Sequence, residues 1–158
     1  MSDNPDTTVE GGADLPGWEW ERTVDDSDAV EVGDSVTFSK EISDEDVSSF
    51  AEASGDTNPL HLEDDYAEGT RFGGRIAHGM LVGGLISAAL ARFPGTVVYL
   101  SQDFEFQGPV RIGDRARAEV EIIDTLEGGR YRLSTQVLVD SEGVIDGEAV
   151  VLIDEEPA

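Results

Sequence analysis

The sequence predicts an α+β domain in which a curved antiparallel β-sheet wraps around one central, buried α-helix. One apolar run of helical length, from Gly79 to Ala91, contains a single polar residue, Ser87. Most of the chain after Gly95 alternates between apolar and polar residues with a period of two, the pattern of half-buried strands. Short turns join these segments, which indicates an antiparallel meander whose apolar face the helix covers.

The first 29 residues are predicted to be an acidic, flexible extension, and residues 30–158 to be the folded domain. The extension is rich in Asp, Glu, Gly and Pro, a composition that buries little apolar surface. Trp18 and Trp20 leave two alternatives open, because they either dock this segment onto the domain or stay exposed.

The domain is expected to begin with a strand and a capped helix. Val36 and Phe38 alternate with polar residues and predict a short strand. Ser43 is a good N-cap, and the three acidic residues after it suit the positive end of a helix dipole. Gly55 is the expected residue just past the helix end, so this helix delivers the chain to Asp56.

The segment that contains Asp56 and His61 is expected to be irregular. Asn58 and Pro59 interrupt it, and a helix rarely continues through the residue that precedes a proline. A turn or two of helix is predicted after it, from Leu62 to Ala67.

The apolar run is predicted to be a core helix. It shows no polar face at a period of 3.6, and a helix that is apolar all round is normally buried on all sides. It is too short for a bilayer, which takes about 20 residues. Gly83 and Gly84 each cost about 1 kcal/mol relative to alanine inside a helix, so another backbone is expected to pack closely there.

Four strands are predicted after this helix. Pro94 and Gly95 end the helix, and Gly128 with Gly129 marks a hairpin. Gln102 interrupts the alternation of the first strand. The predicted strands cover residues 98–106, 116–122, 131–139 and 144–153.

The charge balance of the chain is strongly acidic. Ten basic residues against 35 acidic ones give a formal net charge of −25, which predicts a halophilic protein whose self-repulsion is screened by high salt. A nucleic-acid partner is not expected, because phosphate binding needs a basic face. The chain has no cysteine, so no disulfide is expected. Its start shows no signal-peptide pattern, so we expect a cytoplasmic protein with no membrane partner.

Asp56 and His61 are the candidate catalytic residues. A carboxylate beside an imidazole is a common arrangement for general acid–base catalysis, and a tight turn at Asn58 and Pro59 lets both side chains face one cavity. The alternative that both are ordinary turn and surface residues stays open at this point.

The start of the core helix supplies a second chemical feature. Gly79 carries one of the unpaired amides of a helix start, and such an N–H can stabilise an oxyanion. His78, just before it, is interpreted as a buried histidine bonded to backbone. Two histidines without cysteine do not predict a metal site.

The segments from Phe50 to Glu68 and from Arg71 to Val82 resemble the MaoC-like, (R)-specific enoyl-CoA hydratase family. The element D-x-N-P-x-H, from Asp56 to His61, is specific to that family and is present in full. The resemblance extends over roughly Val32 to Ile153. It implies the hot-dog fold, a homodimer, and the reversible hydration of a trans-2-enoyl-CoA to an (R)-3-hydroxyacyl-CoA.

The resemblance also implies catalytic roles. Asp56 and His61 would act on the water, and we favour His61 as base, although the division of roles between them stays open. The backbone N–H of Gly79 would polarise the thioester carbonyl. No cofactor is expected, because coenzyme A is part of the substrate.

Substrate-binding roles follow from the same resemblance and from the charge of coenzyme A. Ser87 and Asn58 are assigned to substrate binding. Coenzyme A is anionic, so an acidic protein needs basic side chains near the site that binds it. Arg71 and Arg75 are the main candidates, and Arg92 is another. Ordinary surface ion pairs are the alternative role for these arginines.

Three other functions remain in view. A MaoC-like enzyme can act on a branched or dicarboxylic acyl-CoA, which the motif does not distinguish. A hot-dog thioesterase is disfavoured, because D-x-N-P-x-H belongs to the hydratase branch. A non-catalytic acyl-CoA-binding subunit would not need the intact pair of Asp56 and His61.

The charge predicts a salt-dependent fold. Lowering KCl from 1 M to 0.01 M lengthens the Debye screening distance from about 3 Å to about 30 Å, which unscreens the repulsion among the acidic residues. We expect the melting temperature, measured by circular dichroism, to fall steeply along this series. A melting temperature that is flat across the series would contradict the halophilic interpretation.

Overall fold

The computed structural model describes residues 9–158, which contain one sheet and four α-helices. The strands and helices follow one another along the chain as β1 (Glu19–Arg22), β2 (Ser35–Glu41), α1 (Asp44–Ser54), α2 (Pro59–Leu62), α3 (Asp64–Glu68), α4 (Gly79–Leu90), β3 (Thr96–Gln102), β4 (Glu105–Phe106), β5 (Arg115–Thr125), β6 (Arg130–Val139) and β7 (Glu142–Asp154).

The sheet is antiparallel throughout, with the strand order β1-β2-β5-β6-β7-β3, and the short β4 pairs with β7. The predicted meander is confirmed for β5, β6 and β7 only. The two strands that flank the helices join opposite ends of this meander, β2 beside β5 and β3 beside β7. All four helices therefore lie in the connection between one side of the sheet and the other.

Helix α4 is the centre of the hydrophobic core. It packs against β2, β5, β6 and β3, so most of the width of the sheet contacts one helix. Ile86 and Leu90 of α4 are at most 1% exposed, as are Ile122 and Leu133 of the facing strands. This arrangement of a sheet around a helix confirms the predicted α+β class and is the hot-dog fold that the resemblance implies.

One face of α4 departs from the prediction of burial on all sides. Met80, Gly84 and Ser87 are exposed and form a stripe along the helix, and Met80 is 57% exposed. The prediction of a close backbone neighbour is also wrong. A Cβ on Gly83 would lie 3.0 Å from the ring of Phe104, whereas a Cβ on Gly84 would meet nothing within 4 Å. The close approach of the Phe104 side chain thus explains a glycine at position 83.

Helix α1 begins and ends as predicted. The Ser43 hydroxyl accepts a hydrogen bond from the Asp46 N–H, and the Asp46 carboxylate accepts one from the Ser43 N–H, both at 3.0 Å. Gly55 adopts a φ of 83° and donates its N–H to Ala51. Burial alone would raise the pKa of Asp46, but hydrogen bonds from Lys40 and Ser43 and the charge of Lys40 hold it below its usual range.

The described part of the N-terminal segment is folded onto the sheet, which corrects the predicted start of the domain at residue 30. Strand β1 pairs with β2, and the Trp18 ring packs edge-on against Phe38 with ring centroids 5.5 Å apart. The Trp20 indole N–H donates to Asp14 at 3.1 Å. The two tryptophans therefore dock this segment. The predicted flexibility of residues 1–8 lies outside the described residues.

Arg92 secures this docked segment from the end of α4. Its guanidinium lies 4.6 Å from the Phe38 ring centroid, 5.6 Å from that of Trp18 and 5.7 Å from that of Trp20. It also donates to the Ala88 carbonyl at 3.0 Å, and its side chain is only 17% exposed.

Across residues 9–158, no helix is both long and apolar enough to cross a membrane.

Replacing Arg92 by alanine is expected to destabilise the fold. The change removes a partly buried cation from aromatic faces together with its hydrogen bond, which predicts a loss of about 1–3 kcal/mol in the free energy of unfolding. Urea unfolding at fixed salt measures this. Arg117→Ala is the control, because Arg117 is 56% exposed and its ion pair with Glu119 is of the weak surface kind. Equal losses in both variants would contradict the role of Arg92.

Candidate active site

A cavity of about 580 Å³ opens beside the start of α4. This volume is within the range of pockets that bind small molecules. Its polar wall includes Asp56, His61 and Arg71, and Gly79 contributes backbone. Its apolar wall includes Phe72, Ile76, Met80, Val82, Phe106, Val110 and Ile145.

The turn between Asp56 and His61 is more regular than predicted. The Asn58 N–H donates to the Asp56 carboxylate at 3.2 Å, and the Asn58 side-chain oxygen accepts from the Leu60 N–H at 3.0 Å. Asn58 thus caps α2, in which Pro59 occupies the first turn, where no N–H is needed. His61 therefore lies in a helical turn, which corrects the expected irregular segment.

The tautomer of His61 follows from its hydrogen bond. The ring is buried, with 8% exposure, and its Nδ1 lies 2.7 Å from the carbonyl oxygen of Ile76. A carbonyl only accepts, so Nδ1 carries the proton and donates it. Nε2 of the neutral ring is left with the lone pair that a general base requires.

Arg75 holds the backbone of this segment from behind. Its Nε donates to the His61 carbonyl at 2.7 Å, and its Nη2 donates to Asp44 at 2.6 Å. Asp64 is a further anionic neighbour at 3.8 Å, and the Arg75 side chain is only 13% exposed. Its guanidinium is thus committed to α1, α2 and α3, and Arg75 is absent from the described lining of the cavity.

His78 is a buried histidine bonded to backbone, as interpreted from the sequence. It is 1% exposed, and its Nε2 donates to the backbone carbonyl of Asp56 at 2.9 Å. Its ring lies against that of His61, with ring centroids 4.0 Å apart and planes inclined by 34°. The two imidazoles therefore stack on one another beneath the loop that carries Asp56.

Asp56, His61 and His78 are the one grouping of potential metal ligands in residues 9–158. Their potential ligand atoms all lie within 4.8 Å of one another. Two imidazoles that bind one ion at about 2.1 Å in tetrahedral geometry hold their ring centres about 5 Å apart. The observed 4.0 Å is too close for shared coordination.

Gly79 is the first residue of α4 and lies on the cavity wall. The first amides of a helix have no intrahelical acceptor, so they are available to a ligand. A Cβ at this position would lie 2.7 Å from the Phe106 ring. Glycine therefore lets the Phe106 ring approach the helix start closely, and a larger residue here would displace that ring.

The remaining residues assigned from the sequence separate into two groups. Arg71 lies at the cavity as expected. Ser87 lines a second cavity of about 370 Å³ on the exposed face of α4, and the first cavity lacks it. Arg92 contacts the N-terminal aromatics instead.

Sequence patterns missed the apolar lining residues such as Phe106 and Ile145, because nothing local shows which side of a strand faces the cavity.

The chain belongs to the MaoC-like domain family. The family model, described as MaoC like domain, matches residues 27–142. The match covers both histidines, Asp56 and all of α4. The fold and the site together thus define a MaoC-like hydratase or dehydratase, an enzyme of the hydro-lyase class.

Curated relatives and solved structures agree with this assignment. The chain is 48% identical over 127 residues to a 3-hydroxybutyryl-CoA dehydratase of Methylorubrum extorquens, covering 78% of this chain and 81% of the relative. It is 42% identical over 127 residues to an (R)-specific enoyl-CoA hydratase of Rhodospirillum rubrum, covering 78% and 88%. The unliganded R-hydratase PhaJ1 of Pseudomonas aeruginosa superposes with a TM-score of 0.77 at 39% identity, covering 87% and 90%.

Proposed function

We propose that this protein is an (R)-specific enoyl-CoA hydratase, which adds water reversibly to a trans-2-enoyl-CoA to give an (R)-3-hydroxyacyl-CoA. One observation carries the proposal: the Asp56 carboxylate and the His61 imidazole lie within 4.8 Å of each other on the wall of the cavity that includes Gly79. The names of the hydratase and dehydratase relatives support the same reaction in its two directions.

The spacing of the pair suits a single water. A water that forms hydrogen bonds of about 2.8 Å to both groups separates their polar atoms by about 4–5 Å. His61 takes a proton of this water at Nε2, because its Nδ1–H is held by Ile76. Asp56 orients the water, and its carboxylate is itself held by the Asn58 N–H.

The Gly79 N–H is the third group that takes part in the proposed reaction. It donates to the thioester oxygen, which withdraws electrons from C3 and stabilises the enolate formed when the water oxygen attacks. The C2 of this enolate then receives a proton by way of the acid–base pair. The sum is the addition of one water across C2 and C3, and no cofactor is needed beyond the coenzyme A of the substrate.

Arg71 is the proposed contact for the anionic coenzyme A. Nine of the ten basic residues donate a hydrogen bond to a carboxylate or a carbonyl or form an ion pair, whereas Arg71 does neither with any residue from 9 to 158. Arg71 is exposed and lines the cavity, so its charge is available to a phosphate group. Arg75 and Asn58 hold the backbone of the site, so they affect substrate binding through that backbone and not by contacting the substrate.

Absorbance of the conjugated enoyl thioester tests the function directly. A hydratase bleaches this absorbance without releasing thiol, a thioesterase releases free thiol, and a binding subunit does neither. Short, long, branched and dicarboxylic enoyl-CoA substrates should be compared in high salt. Bleaching of none of these substrates would overturn the proposal.

Substitution of the pair gives the mechanistic prediction. His61→Ala removes the base, and Asp56→Asn keeps the shape of the side chain while removing its charge. We expect each change to lower turnover by at least about 100-fold, since general acid–base groups contribute roughly 10²–10⁴-fold. Because both act on one water, the double variant should be little slower than the slower single variant.

The kinetic comparison needs a folding control. Circular dichroism should show wild-type secondary structure in all three variants, because Asp56 is exposed and the site lies at a cavity wall. Near-wild-type turnover in a folded single variant would remove that residue from the mechanism. Losses that multiply fully in the double variant would show that the two residues act in separate steps.

We also propose a homodimer formed through one apolar face. Met80, Tyr99 and Leu100 line the second cavity together, and with Val98 of β3 and Phe106 of β4 they make up this α4–β3 face; all five are 39–57% exposed. Strand β3 is at an end of the sheet, so its outer backbone groups are free to pair with a second β3. Met80 and Phe106 also line the cavity, so a second copy would close the site at that side. Ser87 lies beside this face and would then approach the second copy.

Leu100→Glu is expected to break the dimer. The change places two additional like charges at the centre of an apolar contact, where neither finds a partner. Light scattering in high salt should show twice the 16.9 kDa chain mass for the wild type and the single chain mass for the variant. Ile123→Glu is the control, because Ile123 is 41% exposed on β5, away from this face. A monomeric wild type would contradict the dimer.

A further inference from the structure

His78 contacts every part of the proposed catalytic site without lining the cavity. It donates to the Asp56 backbone at 2.9 Å, its ring packs on His61 at 4.0 Å, and it directly precedes Gly79 in the chain. We propose that His78 is a positioning residue, which holds the Asp56 loop and the His61 ring in register with the Gly79 N–H. This inference rests on the proposed function for its kinetic readout.

The hydrogen bond from His78 fixes a loop that has little other support. Asp56 follows the C-terminal glycine of α1 and precedes α2, so no regular element holds its carbonyl. Its own N–H is bonded only locally, to the Ser54 hydroxyl at 3.1 Å. The bond to His78 bridges 22 residues of sequence and ties this loop to the start of the core helix.

The ring of His78 fixes the second catalytic group. His61 is held at one edge by the Ile76 carbonyl and on one face by the His78 ring. Phe50 of α1 contacts the His78 ring in turn, with centroids 4.8 Å apart. The His61 imidazole is thus confined by two neighbours that are only two residues apart in the chain.

Packing alone does not account for a histidine at this position. The Asp56 carbonyl can only accept, so Nε2 of His78 carries the proton and Nδ1 has a lone pair. That Nδ1 is fully buried and has no hydrogen-bond partner among residues 9–158. An unpaired buried polar atom costs stability, and a phenylalanine would fill the same space without that cost. The Nε2–H donor to the Asp56 loop is the feature that a phenylalanine lacks.

Two substitutions separate the donor from the ring. His78→Phe keeps an aromatic ring against His61 and removes the donor, whereas His78→Gln keeps an amide donor and removes the ring. We expect His78→Phe to lower kcat at least about 10-fold with KM changed less than about 3-fold, since small displacements of catalytic groups reduce turnover more than binding. His78→Gln should recover part of the lost kcat.

Val47→Ala is the control for stability. Val47 is fully buried in α1 and contributes no atom to the site. It should lower the melting temperature and leave kcat within about 2-fold, because it creates a cavity without moving a catalytic group. If His78→Phe and Val47→Ala changed kcat alike at matched loss of melting temperature, a merely structural role would be shown and the proposal overturned.

Nuclear magnetic resonance of the imidazoles gives a readout that does not depend on activity. In the wild type the His61 Nδ1–H should exchange slowly with water, because the Ile76 carbonyl and the His78 ring shield it. In His78→Gln, which lacks the ring, it should exchange faster, whereas His78→Phe keeps a ring against His61 and should leave the exchange little changed. Unchanged exchange in folded His78→Gln would overturn the positioning role. If the wild type bleached no enoyl thioester while His78→Gln still showed faster His61 exchange, the proposed reaction would be refuted and the positioning role retained.

Discussion

Burial of α4 inside the curve of the sheet is the constraint on which the rest of the structure depends. The helix satisfies its own backbone hydrogen bonds, so its apolar side chains are free to fill the space between β2, β5, β6 and β3. Ile86 and Leu90 lie at the centre of this contact. Because the helix is fixed along its length, its first amide, at Gly79, is fixed at the cavity wall as well.

The segment before α4 connects this fixed helix to the proposed catalytic pair, Asp56 and His61. Arg75 holds the His61 carbonyl, Ile76 accepts the His61 Nδ1–H, and His78 donates to the Asp56 carbonyl. Two of these three contacts use the backbone carbonyls of Asp56 and His61, and the third uses the His61 Nδ1, which is not the nitrogen proposed to act as base. The site is therefore assembled by two short segments, 56–61 and 75–79, that are hydrogen-bonded to each other. The Asp56 carboxylate and the His61 Nε2 are not used in these contacts.

Much of the local structure could be predicted, since it depends on near neighbours in sequence. The cap at Ser43 and the glycine at position 55 follow from capping preferences, and the extent of α4 follows from its apolar run and the Pro94–Gly95 stop beyond it. Alternating residues placed the later strands within a few positions. Asp56 and His61 were identifiable because a short motif with a proline turn brings a carboxylate and an imidazole together.

The sequence by itself thus determined the fold class, the central helix and the candidate pair of Asp56 and His61. Only the tertiary structure decided the strand order, the docking of β1 and the exposed stripe of α4 that begins at Met80. It also decided that Arg75 supports backbone and that His61 presents Nε2. The physical reason is distance along the chain: periodicity and capping report contacts within a few residues. Arg75 and His61, or Phe38 and Arg92, meet only after the sheet has closed around the helix.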